Sequence, residues 1–218
     1  MNIAIDGPSG AGKSTLAKLL ANKLNITYLD TGAMYRALAV KVCRLGIEST
    51  DYDKIVPLLS GTVIDVIPSE NGTVVFVDGK NVTEEIRKHY VSKAASDVSA
   101  CPDVRVFMVD MQRKIAGSKD TVLDGRDIGT YVLPNAEHKF YLTATSAERA
   151  RRRVLELKAR GEDCDYDAVK ADIEKRDYND SHRDFAPLKK ADDAVEIDCT
   201  HMSIEQVLNE MLSIIREK

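Results

Sequence analysis

Residues 7 to 14 read G-P-S-G-A-G-K-S and fit the pattern G-x-x-x-x-G-K-[ST] at every fixed position. From average composition, a chance match in a chain of this length is on the order of one per cent. The chemistry served by such spacing is phosphate binding. Glycines let successive backbone N–H groups converge on phosphate oxygens without Cβ clashes. The N-terminus of a following helix adds a favourable dipole. On this reading Gly7, Pro8, Ser9, Gly10, Ala11 and Gly12 wrap the phosphates of a nucleotide. Lys13 bridges the β- and γ-phosphates, and the Ser14 hydroxyl coordinates Mg²⁺. The loop alone names no reaction, because switch GTPases, motor ATPases and small-molecule kinases all use one. The guanine-reading N-K-x-D of Ras-type GTPases does not occur in the sequence.

A second set of candidates lies on the far side of the chain. Asp124 ends the apolar run T-V-L-D and is followed by Gly125, Arg126 and Asp127. Ligands of open α/β sheets collect at the carboxyl ends of strands, so Asp124 is placed to hold Mg²⁺ through water and Arg126 to reach a phosphate. In R-D-Y-N-D-S-H-R, the i, i+4, i+7 spacing of Arg176, Asp180 and Arg183 predicts one helical face. Arg149, Arg152, Arg153 and Arg160 share a face of a preceding helix, beside a separate apolar stripe of Ala150, Val154 and Leu157. A solvated charged face with weak ion pairs is the competing reading of both sets. Arginine's planar fork of donors suits phosphate, and a phosphate loop in the same chain favours the functional one.

The elements that must position these groups alternate. A strand at Asn2–Asp6 leads through the loop into a helix from about Lys13 to Leu24, with Leu16, Leu19, Leu20 and Leu24 as its expected buried stripe. A strand at Thr27–Leu29 precedes D-T-G-A-M-Y-R and a helix stopped near Gly46. Between 61 and 82, β-branched runs flank Asn71-Gly72 and precede Asp78-Gly79, which predicts a small antiparallel meander. Helices resume from Thr83 to about Ala116. Strands are then predicted at Thr121–Asp124 and Lys139–Leu142, followed by helices at 146–160 and 165–181 with a break at Gly161. A strand at Ala194–Asp198 and a helix at Ser203–Arg216, with Ser203 and Gln206 at capping-box spacing, complete the chain. Such alternation implies an α/β fold with a parallel sheet of about five strands and helices on both faces.

The 218 residues allow one sizeable core. A formal net charge of -4 speaks against a general grip on nucleic acid. No run of about 18 apolar residues could cross a bilayer, and the N-terminus lacks the order of a signal peptide. Cys43, Cys101, Cys164 and Cys199 lie far apart, forming neither a zinc pattern nor a disulfide framework. Reduced thiols in a cytoplasmic protein, without membrane or nucleic-acid partners, are the expectation.

Together, I-D-G-P-S-G-A-G-K-S-T, L-D-T-G-A-M-Y-R, L-D-G-R-D-I-G-T, R-D-Y-N-D-S-H-R with A-P-L after it, and T-H-M-S-I-E-Q-V resemble bacterial cytidylate kinases along the whole chain. The resemblance implies a P-loop NTPase-type kinase that transfers the ATP γ-phosphoryl group to CMP or dCMP, with Mg²⁺. It implies a core at 1–30, 117–145 and 190–218, a monophosphate-binding region at 31–116 that carries the β-insert, and an Arg-rich lid at 146–189. Arg36, Arg126 and Arg183 match the residues that hold the acceptor phosphate, and Ser96, Arg105 and Asp127 those that read cytosine. Arg176 and Asp180 match ribose contacts, with Tyr35 packing nearby and Thr31 keeping a hydroxyl where serine is also found. Arg152 and Arg153 match lid arginines over ATP, and Lys13, Arg126 and Arg183 the catalytic set. Some members carry G-K-G in the loop, so the hydroxyl on Mg²⁺ comes from Ser14 or from Thr15. A monomer is expected. The alternatives are a P-loop kinase for UMP or for a metabolite hydroxyl, in which Asp127 is the candidate base, and an ATP-dependent switch or nucleic-acid-binding protein.

Overall fold

The apolar runs at 3–5, 122–123 and 140–142 form adjacent strands in which Ile3, Ala4, Ile5, Val122, Leu123, Phe140 and Leu142 are buried. Parallel strands covered on both faces read as such continuous runs. The computed structural model describes every residue except Glu70, Asn71, Arg160 and Lys218. In chain order the elements are β1 (Asn2–Asp6), α1 (Lys13–Leu24), β2 (Thr27–Asp30), α2 (Thr31–Arg44), α3 (Tyr52–Ile55), β3 (Ile64–Ser69), β4 (Gly72–Val77) and β5 (Lys80–Asn81). They continue with α4 (His89–Val98), α5 (Pro102–Ala116), β6 (Thr121–Gly125), β7 (His138–Thr143), α6 (Ser146–Ala159), α7 (Tyr166–His182), β8 (Val195–Asp198) and α8 (Ile204–Arg216). The chain divides into two units, Met1–Ile26 with Thr121–Lys218, and Thr27–Asp120.

Four of the five strands of the parallel sheet belong to the first unit, in the order β6-β1-β7-β8. Ile5 lies opposite Asp124 on one side and Phe140 on the other, and Phe140 opposite Val195. The fifth strand, β2, opens the second unit. α1 packs against β6 and α8, and α6 against α7. α8 starts with the expected capping box, in which Ser203 accepts from the Gln206 N–H and Gln206 accepts from the Ser203 N–H.

Two expectations about helix faces are corrected. In α1, Leu16, Ala17, Leu20 and Ala21 are buried but Leu19 is 37% exposed. The smaller alanines next to Leu16 and Leu20 take the core side, turning the stripe away from Leu19. In the last part of α7, Arg176 and Asp180 are helical, but Arg183 lies beyond the end with ψ of 144°. The chain there folds back: the Leu188 N–H donates to the Asp180 carbonyl at 2.8 Å, and Ala186, before Pro187, takes φ of 47°. A residue preceding proline is disfavoured in the α region, so Ala186 could not carry the helix on.

The second unit contains the meander, a three-stranded antiparallel sheet in the order β3-β4-β5. Ile64 pairs with Val77 and Ser69 with Gly72; Asn71 of the predicted turn lies outside the described residues. The second turn has positive φ at Asp78 and Gly79, 50° and 72°, as Asp-Gly hairpins favour. Asp78 also accepts from the Val63 N–H at 2.9 Å and pairs with Lys41 at 2.7 Å. α2 packs against β4 and α4, burying Met34, Ala37, Leu38 and Val40.

Candidate active site

Asp6 ends β1, and the turn from that strand into α1 is built from glycines in conformations other residues avoid. Gly7 has φ of 143°, and a Cβ there would lie 2.0 Å from the Leu142 carbonyl oxygen of β7. At Gly12, φ of 91° bends the chain into α1. Lys13, 6% exposed, donates from Nζ to the Pro8 carbonyl at 2.7 Å and so folds over its own loop. Ser14 Oγ donates to Asp124 Oδ2 at 2.8 Å, setting two hard oxygen donors side by side. Thr15 is exposed.

Both backbone groups of Ser9 are held by side chains from distant helices. Its N–H donates to Asp177 Oδ1 at 3.2 Å, and its carbonyl accepts from Arg149 at 2.9 Å. Arg149 also donates to the Ala144 carbonyl at 2.8 Å and pairs with Asp177. Arg149 is therefore buried under the loop rather than presented with its neighbours. Arg152 donates to Glu148 at 2.8 Å and to the Cys199 carbonyl at 2.6 Å, and Arg153 pairs with Glu156. α6 places Arg149, Arg152 and Arg153 at i, i+3 and i+4 as expected, but their guanidinium groups go to different partners, and Arg160 lies outside the described residues. The bonds of Arg149 to the loop, made across more than a hundred residues, turn it inward.

At the carboxyl end of β6, Arg126 donates from Nε to Asp180 at 2.8 Å. Asp127 lies 3.5 Å from the Arg183 guanidinium, which also comes within 4.0 Å of Asp180. Arg183 is fixed by bonds to the Ala186 carbonyl, one of them at 2.7 Å. Burial alone would raise the Asp180 carboxyl; Arg126, Arg176 and Arg183 outweigh it and hold it below the usual carboxylate range. Burial likewise opposes the Arg126 charge, and Asp180, Asp124 and Asp177 overcome it. Lys13 is the opposite case. Burial, with Arg126 and Arg176 nearby, pulls its ammonium well below the usual lysine range despite Asp124 and Asp180. Lys13, Arg126, Arg176, Asp124 and Asp180 thus form a cation-rich cluster suited to a polyanion.

In the second unit, Asp30 caps α2 by accepting from the Ala33 N–H at 2.8 Å and pairs with Arg36 at 3.0 Å. Gly32 leaves room for that pair, since a Cβ there would meet Arg36 Nη1 at 2.9 Å. Thr31 is buried at the first turn. Arg105, 2% exposed, lays its guanidinium 5.5 Å from the Tyr35 ring centroid and donates to the Ser99 carbonyl at 3.3 Å. Ser96, half-buried, lies three residues earlier on α4.

Asp6 and Asp177 were not expected as site residues, and Arg149 was expected only as one of a set of phosphate-facing arginines. Asp6 sits next to the phosphate loop, but no local pattern points to its partners, 122 and 123 residues away.

The fold is similar to a shikimate kinase from Bacteroides thetaiotaomicron, with a TM-score of 0.50 and 14% identity over 99% of this chain and 98% of that one. A gluconokinase from Sinorhizobium meliloti gives 0.51 and 12% over 97% and 89%. Both are kinases by name, and at such identity the likeness carries the fold alone. A cytidylate kinase from Caldicellulosiruptor bescii is 53% identical over 98% of this chain and 95% of its own. One from Geobacillus sp. strain WCH70 is 49% identical over 100% and 97%. The family model for cytidylate kinase matches residues 3–217, from the first strand through the last helix, so the chain belongs to the cytidylate kinase family.

Proposed function

We propose that this protein phosphorylates CMP and dCMP to their diphosphates by in-line transfer of the γ-phosphoryl group of ATP. The observation that carries the substrate is the likeness to cytidylate kinases at about half identity over nearly the whole chain. On this reading Gly7 to Thr15 receive the ATP phosphates, and Lys13 exchanges its bond to the Pro8 carbonyl for phosphate oxygens. Arg126 and Arg183 hold the acceptor phosphate, Asp127 reads the base, and Arg176 and Asp180 hold the ribose. From the second unit, Thr31, Tyr35, Arg36, Ser96 and Arg105 are assigned to the same monophosphate by the resemblance. Arg152 and Arg153 remain the proposed lid contacts to ATP.

Mg²⁺ fits the donor set of Ser14 and Asp124, whose oxygens lie 2.8 Å apart. The bond from Ser14 Oγ to Asp124 supports Ser14, rather than Thr15, as the metal's hydroxyl. When bound, the ion would draw charge toward the β,γ-bridge. The protein's part is alignment and charge neutralisation. The acceptor phosphate has a second pKa of about 6, judged from phosphoserine, so its attacking oxygen is mostly ionised near neutral pH without a base. Arginines bring two anions together against their repulsion, and polar groups left unpaired by the wrong base give selectivity. No helix among the described residues is long and apolar enough to cross a membrane, and the four cysteines are free, which supports a cytoplasmic setting.

A coupled ADP-release assay with ATP and each nucleoside monophosphate tests the proposal. CMP and dCMP should stimulate release far above UMP and above hydroxyl acceptors. Arg126→Ala and Arg183→Ala should each lower kcat/KM for CMP by roughly a thousandfold or more, the scale of lost transition-state electrostatics, while ATP still binds. A protein indifferent to CMP and dCMP would refute the assignment.

A further inference from the structure

Asp6 lies outside every role given so far, yet its carboxylate makes an unusual pair of bonds. Oδ1 accepts from the Ile128 N–H at 2.8 Å and Oδ2 from the Gly129 N–H at 2.7 Å. Those are the first N–H groups of a short helical turn, Ile128–Val132, that begins immediately after Asp127. The turn is wider than an α turn: the Val132 and Leu133 N–H groups donate five residues back, to the Asp127 and Ile128 carbonyls. Asp6 thus caps, from the end of β1, a helical turn whose own N-cap residue provides no side-chain bond.

The cap is tightly enclosed. A Cβ on Gly129 would stand 3.3 Å from Asp6 Oδ2 and 3.2 Å from Lys139 Cδ. Lys139 is itself anchored by Asp193 and by the Pro134 carbonyl. From the turn, Tyr131 packs edge-on against Phe185 with ring centroids 5.0 Å apart. Phe185 belongs to the fold-back segment that fixes Arg183. A continuous set of contacts therefore runs from the residue before Gly7, through the turn, to Arg126 and Asp127 on one side and Arg183 on the other. Burial pushes the Asp6 carboxyl up to about 7, against the two N–H bonds that pull it down. Serving only as a turn cap, an uncharged side chain would avoid that cost.

We infer that Asp6 is a positioning residue for the reaction: by capping the turn after Asp127, it sets Arg126, Asp127 and the Arg183 segment relative to the phosphate loop that begins at the next residue. The inference rests on the assignment of those three residues to CMP.

The test is steady-state kinetics of Asp6→Asn, Gly129→Ala and Arg126→Ala, with KM for CMP and for ATP measured separately. Asp6→Asn keeps one acceptor oxygen and turns an amide against the second N–H. Its KM for CMP should rise roughly tenfold or more, with KM for ATP within about twofold. Gly129→Ala leaves the charge intact and displaces the same cap, and should give a weaker split of the same kind. It decides the question alone if Asp6→Asn does not fold. Equal changes in both KM values, or none, in the folded cap variants would overturn the positioning role while Arg126→Ala remains impaired for CMP. If Arg126→Ala itself leaves kcat/KM for CMP unchanged, the CMP assignment fails, and the inference falls with it.

Discussion

The two units treat charge in opposite ways. In the first, Asp6, Lys13, Asp124, Asp127, Arg149 and Asp180 are buried. In the second, Arg105 is the one buried charged side chain among the described residues, and several others pair near the surface, as in Arg44 with Glu85 and Lys41 with Asp78. Buried ions cost several kcal/mol each in desolvation unless well paired, whereas surface pairs contribute about 0–1 kcal/mol. The first unit carries that cost where the phosphate loop and β6 end, which is where a polyanion must be met by preset charges. The second unit uses ions as fastenings around an apolar core. On the proposed function, most of the first unit's buried charges lie at the nucleotide site, with Lys139, paired to Asp193, as an exception.

Arg149→Ala should break that contrast most severely. It removes a buried guanidinium from the Ser9 and Ala144 carbonyls and from Asp177, so a loss of about 2–4 kcal/mol is expected. Thermal melts should show it, together with a KM for ATP raised more than that for CMP. A variant that melted normally and bound ATP normally would mean that the loop holds its shape without the clamp.

The pH dependence of stability provides a sharper contrast. The folded pKa of Asp6, about 7, lies above the ordinary 3.8. The folded state then binds the proton more tightly, so this group's contribution is fully present below pH 4 and is lost as pH rises through about 7. Between pH 5 and 8 wild type should lose melting temperature relative to Asp6→Asn. Parallel curves for the two would show that Asp6 does not titrate in that range.

Glu85→Ala should be the mildest change. It removes the partner of Arg44 and of the Tyr90 hydroxyl on a largely exposed face. A loss of about 0.2–1 kcal/mol, with kcat/KM for CMP unchanged, is expected in denaturant melts and assays. A large loss would mean that the second unit's surface pairs stabilise it by more than ordinary exposed ion pairs do.

The parts legible in the sequence are those whose chemistry is local. Phosphate binding demands glycines and a lysine at fixed spacing, and Asp78-Gly79 and the Ser203–Gln206 box act within a few residues. Illegible were the groups whose partners arrive from elsewhere in the chain. Arg149 falls by spacing in one set with Arg152 and Arg153, and nothing local marks its bond to Ser9, 140 residues away. Arg183 fitted a helical face by spacing, but its own backbone is extended at the end of α7, and the chain beyond it turns at Ala186. Leu19 shows the same limit for the core, where periodicity selects a face but neighbouring alanines decide its centre.

The Cβ-free approach of Gly7 to the Leu142 carbonyl has a further consequence. A strand that supplies none of the proposed contacts nevertheless sets the height of the donor loop, because the gap there accommodates a hydrogen and nothing larger. On the proposed function, nucleotide affinity should depend in part on where β7 holds that carbonyl. Changes that shift the β7 backbone at Leu142 should register as altered grip on triphosphate although β7 itself supplies no proposed ligand contact.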